Sequence, residues 1–222
     1  MCDAALWQAQ RDGLNKQAQC LHGDISGAGT VEALAAQVLS RAPAQFALAG
    51  LSMGGIVGME IWRQAPQRVL GLALLDTNHC ADAPERRTLR ERQIGQVREG
   101  GLEVVLREEL KPNYMAQCHR DNIALLDAVL AMGMTLGPSV FERQSLALRD
   151  RPDSSETLST IDVPVLVLCG AEDTLCPVAL HEAMAEQISE AELVVVDHCG
   201  HLSTMEQPDA VTEAMRRWLA RI

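Results

Sequence analysis

The chain has 222 residues, 47% of them hydrophobic and 22% charged, with a formal net charge of −11. That length supports one domain with a sizeable core, since single cores stop growing at roughly 250–300 residues. The acidic balance argues against a nucleic-acid partner, which needs a basic face for phosphates, and no apolar run approaches the ~20 residues of a membrane helix.

The start, Met1-Cys2-Asp3-Ala4-Ala5-Leu6-Trp7, lacks the basic region and apolar core of a secretory signal, so a cytoplasmic protein is expected. Seven cysteines are scattered at positions 2, 20, 80, 118, 169, 176 and 199, with no Cys-x-x-Cys. Their spacing predicts reduced buried thiols rather than disulfides or a metal site.

Along the chain, Thr30 can N-cap a helix running to Arg41, with Val31, Leu34, Ala35 and Val38 on one face. A first strand is expected at residues 46–51 and a second at 69–75. Two more are expected at 163–168 and 193–196. All four are apolar without alternation, as in strands covered on both faces. Between the second and third, residues 84–152 carry helix-like charged and apolar spacing and no strand signal, for example Ile123, Leu125, Leu126, Val129 and Leu130. This stretch is expected to be a helical insertion forming a lid over a pocket. Pro208 suits the first turn of a last helix with Val211, Met215, Trp218, Leu219 and Ile222 on its buried side. Strands alternating with helices predict an α/β fold with a mostly parallel sheet.

The chemistry starts at Gly50-Leu51-Ser52-Met53-Gly54, which follows the apolar run Phe46-Ala47-Leu48-Ala49. An apolar run passing into Gly-x-Ser-x-Gly reads as a strand turning sharply into a helix, with the serine hydroxyl exposed at the apex. Gly54 and Gly55 are expected to leave room where that helix meets neighbouring strands. The helix N-terminus offers the Met53 N–H to a developing oxyanion.

A base should lie in a loop after a late strand, and His198 and His201 both do. His201 is preferred because Gly200 lets its loop approach the serine. An acid should close another strand: Asp173, Glu172 and Asp76 all qualify, and Asp197 more weakly. The order Ser…Asp…His favours Asp173 and also fits Asp76. Met132 and Met134 are candidate pocket-lining residues, with plain core packing as the alternative.

Three segments, Gly50-Leu51-Ser52-Met53-Gly54-Gly55, residues 170–177 (GAEDTLCP) and residues 200–208 (GHLSTMEQP), together resemble the signature loops of the α/β-hydrolase superfamily. The resemblance covers nearly the whole chain. It implies a single domain over residues 1–222 with residues 84–152 as a helical cap. It implies Ser52 as nucleophile, His201 as base and then acid, Asp173 as orienter, and no metal or organic cofactor. The implied activity is hydrolysis of a small-molecule carboxylic ester, lactone or thioester. Carbon–carbon bond hydrolysis, cofactor-free perhydrolysis and a non-catalytic binding protein remain as alternatives.

The chain departs from the family at its start. The family's third strand, with the loop that supplies a second oxyanion N–H, has no counterpart before Met1-Cys2-Asp3. That strand lies between a strand placed near residues 19–22 and the one at 46–51. The expectations are therefore a natural start upstream of Met1, unpaired backbone groups inside the sheet, and weak hydrolysis by this chain alone.

Overall fold

The four unalternating apolar runs become four parallel strands: β1 (Phe46–Leu51), β2 (Val69–Leu75), β3 (Val165–Gly170) and β4 (Ala191–Val196), in the order β1-β2-β3-β4. The computed structural model describes residues 1–222. β3 starts two residues later than the sequence suggests, because Pro164 has no N–H for the ladder and instead offers its carbonyl to Leu72 N at 3.1 Å, and it ends two later because its pairing with β4 runs on to Gly170 opposite Val196. β4 starts two residues earlier, its register with β3 running from Ala191 opposite Val165.

Helices cover both faces. α2 (Val31–Arg41) and α3 (Met53–Gln64) lie on one, with α9 (Val178–Gln187) beside them. α1 (Gln8–Leu14) and α11 (Pro208–Leu219) lie on the other. Successive strand residues point to opposite faces, so Leu72, Leu74, Val165 and Val167 enter the first core, while Ala73, Leu75, Leu166 and Leu168 enter the second. Thr30 caps α2, its Oγ1 accepting from Ala33 N at 3.2 Å. Pro208 opens α11, which buries Val211, Met215 and Trp218. Ile222 lies past its end and is exposed, its tip reaching over Gly71.

Between β2 and β3 the chain forms helices joined by loops and no strand. It runs through α4 (Pro84–Arg98), α5 (Leu102–Val104) with a π-helical continuation (Val105–Leu110), α6 (Ile123–Leu136), α7 (Pro138–Arg149) and the short α8 (Ser155–Leu158). It has its own core of Ile94, Val97, Leu102, Val105, Leu106, Leu130 and Phe141. Its two ends are clasped by the buried Asp82 carboxylate. Arg90 Nε donates to Asp82 Oδ2 at 2.7 Å, and Arg151 Nη1 lies 2.9 Å from Oδ1, close as a charge though off-line for a hydrogen bond. No single helix is long and apolar enough to cross a membrane.

Several expectations change. Residues 19–22 form no strand; they are exposed and have no ladder partner. β1 is therefore the edge of the sheet, and the unpaired groups line a groove rather than the interior. Met132 is packed in the second core and Met134 is 42% exposed, so neither lines that groove. Ile123, the first of the apolar residues at helical spacing in the insertion, is 71% exposed. All seven cysteines are free, but only Cys169, Cys176 and Cys199 are buried.

Leu74 is fully buried at the centre of the sheet. Leu74→Ala is expected to cost about 2–5 kcal/mol through lost transfer energy and the cavity left behind, read as a lowered urea midpoint with an unchanged slope.

Candidate active site

Three loops meet at the C-terminal end of the sheet because the parallel ladder continues past the strand ends. Ser52 N donates to Leu75 O at 2.9 Å, Asp76 N to Leu168 O at 2.8 Å and Ala171 N to Val196 O at 2.9 Å. Ser52 stands between β1 and α3 with φ 53° and ψ −115°, a strained turn that lifts its side chain clear of both elements. The turn needs Gly50, where a Cβ would sit 2.2 Å from Gly54 O. Gly55 makes room for Thr77, as expected, whereas Gly54 faces open space.

Ser52 Oγ lies 2.9 Å from His201 Nε2, and His201 Nδ1 lies 2.8 Å from Asp173 Oδ2. A carboxylate only accepts, so Nδ1 carries the imidazole proton and Nε2 is left to accept from the serine hydroxyl. Asp173 is held in turn: its Oδ1 accepts from Leu175 N at 2.8 Å and Cys176 N at 2.9 Å. The Tyr114 ring stacks on His201, with centroids 5.8 Å apart and planes at 27°.

The other candidates lie elsewhere. Asp76 does not touch His201. Its Oδ1 accepts from Gly170 N at 3.0 Å and its Oδ2 from Ser203 N at 3.1 Å, so it ties β2 to the two neighbouring loops. His198 and Asp197 are exposed. Glu172 turns away and accepts from Gln117 N at 2.8 Å. Gly200 serves a different approach from the expected one: a Cβ there would meet Ala116 N and Tyr114 O at 2.6 Å, not the serine.

Sequence reasoning missed the support behind Ser52. Thr77 Oγ1 donates to Ser52 O at 2.7 Å, and Thr77 N donates to His181 Nε2 at 3.0 Å. His181 completes the line by donating Nδ1–H to Pro177 O at 3.3 Å. The only signal for this was the closeness of Thr77 to the end of β2, which does not name its partners. A groove of about 500 Å³ opens at Ser52, Met53 and His201 and runs along the free edge of β1 toward Leu21 and Ile25. Residues 114–119 of the insertion border the site, since Tyr114 O accepts from His201 N at 2.7 Å.

The profile of the alpha/beta hydrolase family matches residues 21–214. This chain belongs to that family. A solved structure of a thermophilic esterase from Thermogutta terrifontis superposes with a TM-score of 0.90 at 33% identity, covering 99% of this chain and 86% of that one. Among curated proteins, "Putative carbamate hydrolase RutD" of Azorhizobium caulinodans is 28% identical over 96% of this chain and 85% of its own length. A pimeloyl-[acyl-carrier protein] methyl ester esterase of Aromatoleum aromaticum is 27% identical over 85% of this chain and 80% of its own. The α/β fold and the family expected from the three loops are thus both found.

Two buried groups near the site titrate with opposite sign. Burial pushes the Asp76 carboxyl up to about 7; its stabilising effect is full below pH ~4 and is lost as pH rises through 7. Burial pulls His181 down to about 4; its effect is full above pH ~6.5 and is lost as pH falls through 4. In urea titrations Asp76→Asn should therefore leave a stability that climbs from pH 4 to 6.5. His181→Gln should leave one that declines from pH 4 to 7.

Proposed function

We propose that this α/β hydrolase cleaves a carboxylic ester, lactone or thioester of a small molecule through an acyl-enzyme on Ser52. The observation that carries this reading is the continuous line from Ser52 Oγ through both nitrogens of His201 to Asp173 Oδ2, with steps of 2.9 and 2.8 Å. The esterases among the similar proteins support the acyl-transfer class.

In this reading Ser52 Oγ attacks the substrate carbonyl as His201 Nε2 takes the hydroxyl proton. The imidazolium then carries protons on both nitrogens, and the Asp173 carboxylate stabilises it while fixing the ring's orientation. The tetrahedral oxyanion receives the N–H of Met53. As first residue of α3, Met53 belongs to the helical turn whose N–H groups have no intrahelical acceptor. The Nε2 proton passes to the leaving oxygen or sulfur and the acyl-enzyme forms. Water, deprotonated by Nε2, then attacks the acyl carbon, and collapse of the second tetrahedral species returns the proton to Ser52 Oγ.

The helical stretch 84–152 acts as the cap. Three contacts support this role: Tyr114 O with His201 N, Ala116 N with Glu206, and Gln117 N with Glu172. They fix the insertion against both the histidine and the acid loops. The adjoining groove is lined by aliphatic residues such as Leu6, Leu48 and Val57, which suits an apolar acyl or alcohol group.

p-Nitrophenyl ester turnover tests the chemistry. Ser52→Ala is expected to abolish it together with labelling by a fluorophosphonate probe, and Asp173→Asn to lower kcat by about 10³–10⁴-fold through the wrong imidazole tautomer. Retained turnover in Ser52→Ala rules the mechanism out.

A further inference from the structure

The side chain of Glu206 is fully buried, yet no lysine or arginine pairs with it. Four N–H donors surround it instead. Oε1 accepts from Gly200 N at 3.0 Å and Leu202 N at 3.2 Å. Oε2 accepts from Ala116 N at 2.8 Å and from His119 Nδ1 at 3.1 Å. The two donors on Oε1 come from the residues immediately before and after His201. The two on Oε2 come from the insertion. One carboxylate therefore grips the histidine's loop on both sides of the imidazole and fastens it to the segment above.

The local fold explains the reach. Leu202 is the N-cap of the short helix α10 (Ser203–Glu206), and its carbonyl accepts from Glu206 N at 2.9 Å. Glu206 folds back across that single turn to the N-cap N–H, a reach related to that of a capping-box glutamate but made from one residue further along. Here the same carboxylate extends one residue further, to Gly200. The flanking N–H groups complete the grip: His201 N donates to Tyr114 O at 2.7 Å and Ser203 N to Asp76 at 3.1 Å. Four successive N–H groups, 200 to 203, thus have fixed acceptors, and Glu206 supplies two of them.

We propose that Glu206 is a positioning residue for His201, setting the imidazole on the line between Ser52 and Asp173. This rests on the acyl-transfer role given to His201 above. The chemistry of the grip is specific. Each carboxylate oxygen faces at least one backbone N–H, so a glutamine of the same shape must turn its NH₂ toward either the Gly200 and Leu202 N–H groups or that of Ala116. That forces one half of the grip open while leaving the packing volume unchanged.

The experiment compares Glu206→Gln and His119→Ala with the parent chain. The first readout needs no substrate: the low-field proton resonance of the His201 Nδ1–H···Asp173 hydrogen bond. Glu206→Gln is expected to shift or broaden it beyond detection while thermal unfolding stays cooperative. His119→Ala removes one donor of four, spares residues 200 and 202, and is expected to leave the resonance in place. The second readout is p-nitrophenyl ester kinetics, where Glu206→Gln should lower kcat about 10–100-fold with KM within about twofold. An unchanged resonance and kcat in folded Glu206→Gln overturns the proposal.

If that variant does not fold, Glu206→Asp is read in the same way, its shorter arm unable to reach both pairs of donors. If neither folds, amide exchange in the parent chain decides: protected Gly200 and Leu202 amides support the grip, and exchange at the rate of free loop amides refutes it. Loss of turnover in Ser52→Ala bears on the hydrolase reading alone, and the resonance bears on the grip alone.

Discussion

The site depends on the parallel ladder running one residue beyond the strands. Ser52, Asp76 and Ala171 each donate an N–H to the neighbouring strand after their own has ended or as it ends. That places the beginnings of three loops side by side at one strand spacing, before any side chain is considered. Asp76 then closes the gaps by bridging to Gly170 and Ser203. Fix those backbone bonds, and the serine, carboxylate and imidazole have few places left to go. This is why residues separated by 149 positions, Ser52 and His201, meet within hydrogen-bond distance.

Carboxylates do most of the local fastening, and they do it without cations. Asp173, Asp76 and Glu206 are all buried, and each accepts backbone N–H groups. At Asp173 and Glu206 backbone N–H dipoles face the carboxylate without adding a mobile positive charge, whereas at Asp76 burial dominates and holds the carboxyl up at about 7. Asp82 takes the opposite course and is held by two arginines, at a place where no imidazole is involved.

What could be read from sequence was local. The four strands, the Thr30 cap, the Pro208 helix and the strand–serine–helix turn each follow from a few adjacent residues. The acid was ambiguous because Asp76 and Asp173 both close strands, and only tertiary contacts separate them. Asp76 is committed to two backbone N–H groups and Asp173 reaches the imidazole. Thr77 and His181 carried no usable pattern, since they meet across separate elements, and two of Glu206's four donors lie on the distant insertion. Residues 19–22 misled for the reverse reason: a strand exists only with a neighbour to pair with, and none lies beside them. Gly200 was rightly singled out but for the wrong neighbour, since tight spacing shows in sequence only as a missing side chain.

The Asp82 clasp has a consequence for how this architecture can vary. Asp82 and Arg151 mark where the chain leaves the sheet layer and where it returns, and their side chains touch. The excursion between them is therefore a closed loop with a charged lock at its neck. Loop-closure entropy grows only logarithmically, at about 0.6 kcal/mol for each doubling of length. Away from its own buried core and from residues 114–119, which hold the histidine loop, the excursion can lengthen or shorten at small loop-closure cost while the neck holds. A change to the neck itself strands a buried charge, which costs about 3–5 kcal/mol. Over generations, novelty should accumulate in the roof of this molecule and stasis at its gatepost.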